Sequence, residues 1–213
     1  MKKVNFYTFC LYPDIMIMSF LLGASIIYLI SHFTVQHLLF VLIGFLIFSV
    51  IEYTTHRFFF HLKTPKNPVL LKVLQRLHYD HHKDPNNLHL MFLPIWYTIP
   101  QFLLISYFIY LITHQLGSSV AVGLGLMFML LFYEWKHYIA HQPIVPRTKF
   151  GKWLKKTHLL HHYKNENYWY GVTNPFVDII LGTFKDEKTV DKSKTAKSLE
   201  MQHSSKKMNS LDV

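Results

Sequence analysis

Ten of the fifteen histidines fall into four short groups: His56 and His61 in HRFFFH, His78, His81 and His82 in HYDHH, His137 and His141 in HYIAH, and His158, His161 and His162 in HLLHH. Neutral imidazole is the commonest protein metal ligand, so such groups point first to metal chemistry. Residues three and four apart share a helix face, so H-x-x-H-H places its first histidine beside both others, and His137 projects with His141. His56 and His61 are five apart, roughly 140° around a helix of about 3.6 residues per turn. Either they reach different metals or their helix loosens near its end. Ten imidazoles are too many for one ion. Two metals with about five nitrogens each is the natural count, leaving room for oxygen or substrate. A single pair could be chance or a hydrogen-bonded surface pair, but four groups in neighbouring segments are not explained as packing, because buried polar groups need partners. His32, His37, His89, His114 and His203 stand apart and read as bystanders.

The elements that must carry these groups are long and apolar. Half the chain is hydrophobic, with 16% aromatic residues, a composition that points to a membrane protein. No Asp, Glu, Lys or Arg occurs from Ile15 to Ile51 or from Pro85 to Tyr133. A spanning helix takes about 20 apolar residues, so each run is long enough for two. Polar punctuation at 31–37 (SHFTVQH) and 113–119 (THQLGSS) divides them into spans near 14–31, 35–56, 93–113 and 119–140. The expected architecture is all-α: an integral membrane protein of four transmembrane helices, arranged as two hairpins. Residues 1–187 form one membrane-embedded domain, and the polar stretch 188–213 reads as a disordered tail.

Charge gives this architecture a sidedness. All 22 Lys and Arg lie in 1–14, 52–84 or 134–213, and none lies in the two opposite loops. Short basic loops stay cytosolic, which puts both termini and all four histidine groups on the cytosolic side, in a bacterial inner membrane or the endoplasmic reticulum. A lone Cys10 fits a reducing compartment. The N-terminal apolar stretch is interrupted by Pro13 and Asp14 and reads as a retained span rather than a signal peptide. The net charge of +10 is spread beside spans, which suits anionic headgroups and not nucleic acid. Imidazole accepts Zn, Cu, Fe and Ni. Nitrogen-rich sites beside apolar helices suggest redox chemistry on a lipid-like chain, hence two iron ions, with zinc able to fill the same ligands in a purified sample.

At these residues the chain resembles the fatty acid hydroxylase superfamily of integral membrane, histidine-rich di-metal oxygenases, over roughly residues 40–187. The carriers are EYTTHRFFFH, LHYDHHKDP, YEWKHYIAH, THLLHHY and NYWYGVTNPFVDIILGTF. The likeness is to the fatty acid 2-hydroxylase branch, which acts on the carbon next to the acyl carbonyl, often in ceramide-type lipids. The resemblance implies a cytosolic helical cap holding a di-metal centre over the four spans. It makes all ten grouped histidines ligands, with O2 as co-substrate. Branch members often carry a fused b-type cytochrome domain. Here the N-terminus precedes the first span by only a few residues, so electrons are expected from a separate b-type cytochrome, ferredoxin or reductase. A second departure is Glu134, where related sequences tend to have Asp.

Carboxylates stand beside the histidines, Glu52 four before His56 and Glu134 three before His137. Metal-bound histidines donate their other N–H to a carboxylate or carbonyl, so both are candidates for orienting ligands, as are Asn174 and Asp178. The rival readings are a headgroup-level ion pair for Glu52 and a plain turn for GVTNPF. Phe92, Trp96, Tyr97, Phe128 and Phe132 are candidates to line an acyl path, though most such residues face lipid, and substrate contacts stay unassigned. Trp153 and Trp169 are candidate interfacial anchors. The leading function is O2-dependent hydroxylation of an acyl lipid. Desaturation, sterol methyl oxidation and carotenoid hydroxylation use the same histidine scheme. A metal transporter would place ionisable groups near mid-span, and the spans are bare there, with small residues such as Gly44 and Gly125.

Overall fold

Helices begin where the sequence supplies a start signal. In the computed structural model, which describes residues 6–203, α1 (Phe6–Cys10) is followed by α2 (Pro13–Ser31), opened by Pro13 at a position where no N–H is needed. α3 (Val35–Thr54) runs on into a π-helical turn, Thr55–Phe60. Asn67 starts α4 (Pro68–Leu74), its Oδ1 accepting the N–H groups of Val69 (2.9 Å) and Leu70 (3.1 Å). A second π turn, Gln75–Tyr79, leads into α5 (Asp80–Lys83), and α6 (Leu88–Met91) follows. Then come α7 (Ile95–Thr113), α8 (Leu116–His141), α9 (Lys149–Tyr163), capped by Thr148, and α10 (Phe176–Ile180). No strand occurs among the described residues.

Four stretches are long and apolar enough to cross a membrane: Pro13–Ser31, Val35–Phe60, Leu88–Thr113 and Leu116–His141, with mean hydropathies of 1.9, 2.1, 1.6 and 1.9. The four spans expected from the charge-free runs are these helices, and the all-helical architecture holds. The chain divides into two compact units. One takes the described residues up to Ile51 together with Leu93–Trp135, and the other takes Glu52–Phe92 with the described residues from Lys136 onward.

In the first unit α3 and α8 approach closely at Gly44 and Gly125. A Cβ on Gly44 would stand 2.5 Å from the Val122 carbonyl oxygen and 3.0 Å from the Gly125 Cα. Small residues that let backbones meet are a usual device of membrane helix pairs. Asp14 Oδ1 accepts the Ile95 N–H at 3.0 Å, tying the start of α7 to α2. An apolar cavity of about 460 Å³ opens among α2, α7 and α8, lined by residues such as Met18, Tyr28, Phe102 and Met127; the five aromatic residues considered for an acyl path are not in its wall.

The second unit holds all ten grouped histidines. Two sequence expectations change there. Trp169 is no interfacial anchor: it is 2% exposed, adopts φ 58° and donates Nε1–H to the Lys185 carbonyl at 3.0 Å. The boundary expected at residue 187 also does not mark the end of packing. Val190, Ala196 and Leu199 are buried, Leu199 against Leu74 and Tyr79. Three apolar side chains at irregular intervals in a polar stretch leave no periodicity to read, yet they find hydrophobic cover. Residues 204–213 of the expected tail, and the His203 side chain, lie outside the described residues.

Candidate metal centre

Each histidine group sits where a helix ends or changes its pitch. The last turn of α3 opens into the i→i+5 pattern over Thr55–Phe60, and that wider turn carries residues five apart onto one face. His56 and His61 therefore converge, their ring centroids 5.2 Å apart. His137 and His141 occupy the final turns of α8. Lys155 of α9 closes that helix end, donating from Nζ to the carbonyls of Ile139 (3.0 Å), Gln142 (2.6 Å) and Ile144 (2.9 Å). His158, His161 and His162 lie in the buried stripe of α9.

The ten rings form two groups of five. One comprises His56, His61, His78, His82 and His161; the other comprises His81, His137, His141, His158 and His162. Each H-x-x-H-H triplet is thus split. Its first and last members, four apart, stay together: ring centroids are 4.5 Å apart for His78 and His82, and 4.6 Å for His158 and His162. The middle member, three residues on, diverges to 6.0 Å from His78 in one triplet and 6.2 Å from His158 in the other, and joins the opposite group. The expectation that the first histidine lies beside both others is corrected: it lies beside one.

The nitrogens meet as ligands would. His78 Nε2 is 3.1 Å from His56 Nε2, 3.1 Å from His61 Nε2 and 2.9 Å from His82 Nε2. A ring nitrogen has one N–H or one lone pair, so it cannot hydrogen-bond to three others. His137 Nε2 lies 2.8 Å from His81 Nε2, and His141 Nε2 lies 2.8 Å from His158 Nε2. With metal–nitrogen bonds of about 2.0–2.1 Å, neighbouring ligand nitrogens at right angles stand about 3 Å apart and opposite ones about 4.2 Å. Within each group one donor atom per residue lies within 4.8 Å of all the others, so each group could hold one metal ion. His162 Nε2 is buried without a hydrogen-bond partner, as a nitrogen kept for a cation would be.

A family model described as fatty acid hydroxylase matches residues 41–183, a stretch that contains all ten of these histidines. The chain belongs to the fatty acid hydroxylase family. It is 34% identical over 155 residues to the ceramide very long chain fatty acid hydroxylase scs7 of Schizosaccharomyces pombe, covering 68% of this chain and 42% of that protein. It is 34% identical over 158 residues to the dihydroceramide fatty acyl 2-hydroxylase FAH2 of Arabidopsis thaliana, covering 72% of this chain and 64% of that one. Human fatty acid 2-hydroxylase is 30% identical over 153 residues, covering 69% of this chain and 40% of its own length. The chain thus spans between two fifths and two thirds of these relatives. Among solved structures, full-length scs7p, with only its hydroxylase domain visible, superposes with a TM-score of 0.73 at 24% identity, over 88% of this chain and 69% of that one. That likeness shows a shared fold.

In this member of the fatty acid hydroxylase family, backbone carbonyls orient the rings. His56 Nδ1 donates to the Tyr170 carbonyl (2.6 Å), His161 Nδ1 to that of Tyr168 (2.8 Å) and His82 Nδ1 to that of Ala196 (2.7 Å). A proton held at Nδ1 leaves the Nε2 lone pair free for a metal. Burial favours the neutral, ligating form. It pushes His82 down to about 3, and His61, His78, His81, His158, His161 and His162 well below their ordinary value.

The carboxylates act one step further out. Asp178 accepts the N–H groups of Tyr170 (2.9 Å) and Gly171 (2.6 Å), fixing the peptide that presents the Tyr170 carbonyl to His56. Glu52 Oε1 accepts those of Val172 (2.6 Å) and Thr173 (2.9 Å) in the same loop. Asn174 caps the turn, accepting the Phe176 N–H at 3.1 Å and donating to Thr173 Oγ1 at 3.0 Å. Glu134 accepts the Leu93 N–H at 2.9 Å within the first unit. Gly171 is required where it stands, because a Cβ would lie 2.1 Å from the Asn174 carbonyl oxygen. Sequence reasoning missed the carbonyls of Tyr168, Tyr170 and Ala196, since every residue has one. It also missed Lys155 and Glu166. The only signal for Glu166 was an acidic residue four positions after the HH pair.

Proposed function

We propose that this protein is a membrane-bound di-iron oxygenase that hydroxylates the acyl chain of a fatty acid or sphingolipid-type lipid. The observation that carries this reading is the pair of buried five-imidazole groups in a chain of this family. The names of the relatives, which include fatty acyl 2-hydroxylases, support the carbon next to the carbonyl as the position attacked. Ten grouped histidines serve as the metal ligands. Inserting oxygen into an alkyl C–H bond needs a metal that changes oxidation state; iron does so and fits these nitrogen ligands, whereas zinc fits them but has no redox chemistry. Bound there, a pair of irons would supply O2 activation and electron transfer.

The chain's own residues supply the rest. The carbonyls of Tyr170, Tyr168 and Ala196 hold the Nδ1 protons of three rings, and burial keeps the imidazoles neutral and water out. Four helices apolar enough to cross a membrane suit a substrate that carries an acyl chain in the bilayer. Electrons come from a separate carrier such as a b-type cytochrome, a ferredoxin or a reductase. The basic residues confined to the segments outside the apolar runs suit an acidic one and support a cytosolic side for those segments.

Lipid mass spectrometry of cells with and without the protein tests the reading. The expected product is a lipid heavier by one oxygen atom, which fragmentation locates next to the carbonyl. It should disappear in His81→Ala and His158→Ala variants that still reach the membrane. Loss of two hydrogens instead would make the protein a desaturase, and activity retained in both variants would sink the metal assignment.

A further inference from the structure

The stretch that reads as a polar tail lies against the first histidine group. Val190, Ala196 and Leu199 are buried although lysines and serines surround them in sequence. The segment is pinned at both ends. At its start the Ser193 N–H donates to the Lys164 carbonyl (2.7 Å), and Asn165 Nδ2 donates to that of Asp191 (3.1 Å). At its far end Glu200 accepts from Gln75 Nε2 (2.9 Å) and pairs with Lys83 (3.0 Å). Glu166 lies fully buried, and its Oε1 takes the hydroxyl protons of Ser193 (3.0 Å) and Thr195 (2.6 Å). One residue beyond Thr195, the Ala196 carbonyl accepts from His82 Nδ1.

Burying a carboxylate is costly unless it is hydrogen-bonded, so its presence here needs a reason. The segment sends no side chain to the metal groups; what it delivers is a carbonyl, and the delivery must be accurate. We propose that Glu166 is a positioning residue for the first metal site: through Ser193 and Thr195 it sets the Ala196 carbonyl that fixes the tautomer and direction of the His82 ring. Glu166 follows His161 and His162 closely in sequence, so the loop directly after α9, the helix that carries His161 of this group, also sets the ring of His82 on α5. The region matched by the family model ends at residue 183, before this segment begins. The inference rests on the di-metal reading.

The test is metal content of the full chain in detergent after dialysis against a chelator, by elemental analysis, together with the rate of metal release. Wild type should keep two metals per chain. Glu166→Ala should lose one of them, releasing it about 10–100-fold faster, the usual effect of removing an orienting partner. Glu166→Gln keeps an oxygen for the two hydroxyls and should behave as wild type. His82→Ala should give the same loss, and adding Glu166→Ala to it should change nothing further, because both act on one ligand. Should Glu166→Ala fail to fold, Ser193→Ala with Thr195→Val breaks the same link and should show the same selective loss. Wild-type metal retention in Glu166→Ala, or in Ser193→Ala with Thr195→Val where Glu166→Ala does not fold, overturns the inference, as does equal loss from both sites that adds to His82→Ala. A wild-type chain that binds no metal would instead sink the di-metal reading and this inference with it.

Discussion

The splitting of both H-x-x-H-H triplets makes a prediction that sequence order would never suggest. His161 and His162 are neighbours in the chain yet belong to different groups, whereas His161 and His78 are far apart in sequence and share one. Structural zinc sites bind with about 10–16 kcal/mol, so one of five nitrogens is worth about 2–3 kcal/mol. At about 1.4 kcal/mol per tenfold, each deleted ligand should weaken its site roughly 30–150-fold. Removing two ligands from one site weakens that site by about 10³–10⁴-fold and leaves the other intact. His78→Ala with His161→Ala should therefore keep one tightly held metal per chain. His161→Ala with His162→Ala should weaken both metals by the single-ligand amount and leave no site of wild-type affinity. Elemental analysis across a chelator titration reads the difference directly, and thermal unfolding in detergent gives a parallel measure, since a ligand bound only to the native state raises stability. If the neighbouring pair spares one full-affinity site and the distant pair damages both, the triplets are not split and the assignment of groups is wrong.

Two further substitutions test how the rings are held. Gly171→Ala forces a Cβ to 2.1 Å from the Asn174 carbonyl oxygen, and the loop must move. An overpacking cost of about 1–3 kcal/mol should lower the melting temperature by roughly 2–12 °C, with metal lost first from the group containing His56; an unchanged melting temperature would show that the turn accommodates the methyl. Lys155→Met removes the donor to three carbonyls at the end of α8. Bonds to a charged group are worth about 1.5–3 kcal/mol, so stability should fall by at least about that amount. Metal should leave the group containing His137 and His141 before the other, and equal loss from both would refute the local effect.

What could be read in the sequence was what side chains announce. Charge-free runs gave the four long helices to within a few residues, because excluding charge is a property of composition alone. The ten histidines announced themselves by type and spacing, and the awkward interval between His56 and His61 foreshadowed a change of pitch, which proves to be the π turn. Spacing could not say which rings share a metal. At three residues and at four the angular offset from the first histidine is similar in size but opposite in sign, so a helix wedged between two sites sends one ring each way. Only the packing of α5 against its neighbours decides which. The carbonyl acceptors left no trace in the sequence, since the backbone is the same everywhere, and the segment from Val190 to Leu199 looked solvent-like because its average polarity hides three buried side chains. The orientation of the rings thus depends on the least legible parts of the chain. Asp178, Glu52 and Glu166 each bind a loop rather than a histidine, and each loop then offers its peptide groups to the rings. A carboxylate in direct contact with a ligating ring would add negative charge beside the nitrogens, whereas a carboxylate that holds a carbonyl orients the ring and adds no charge beside them.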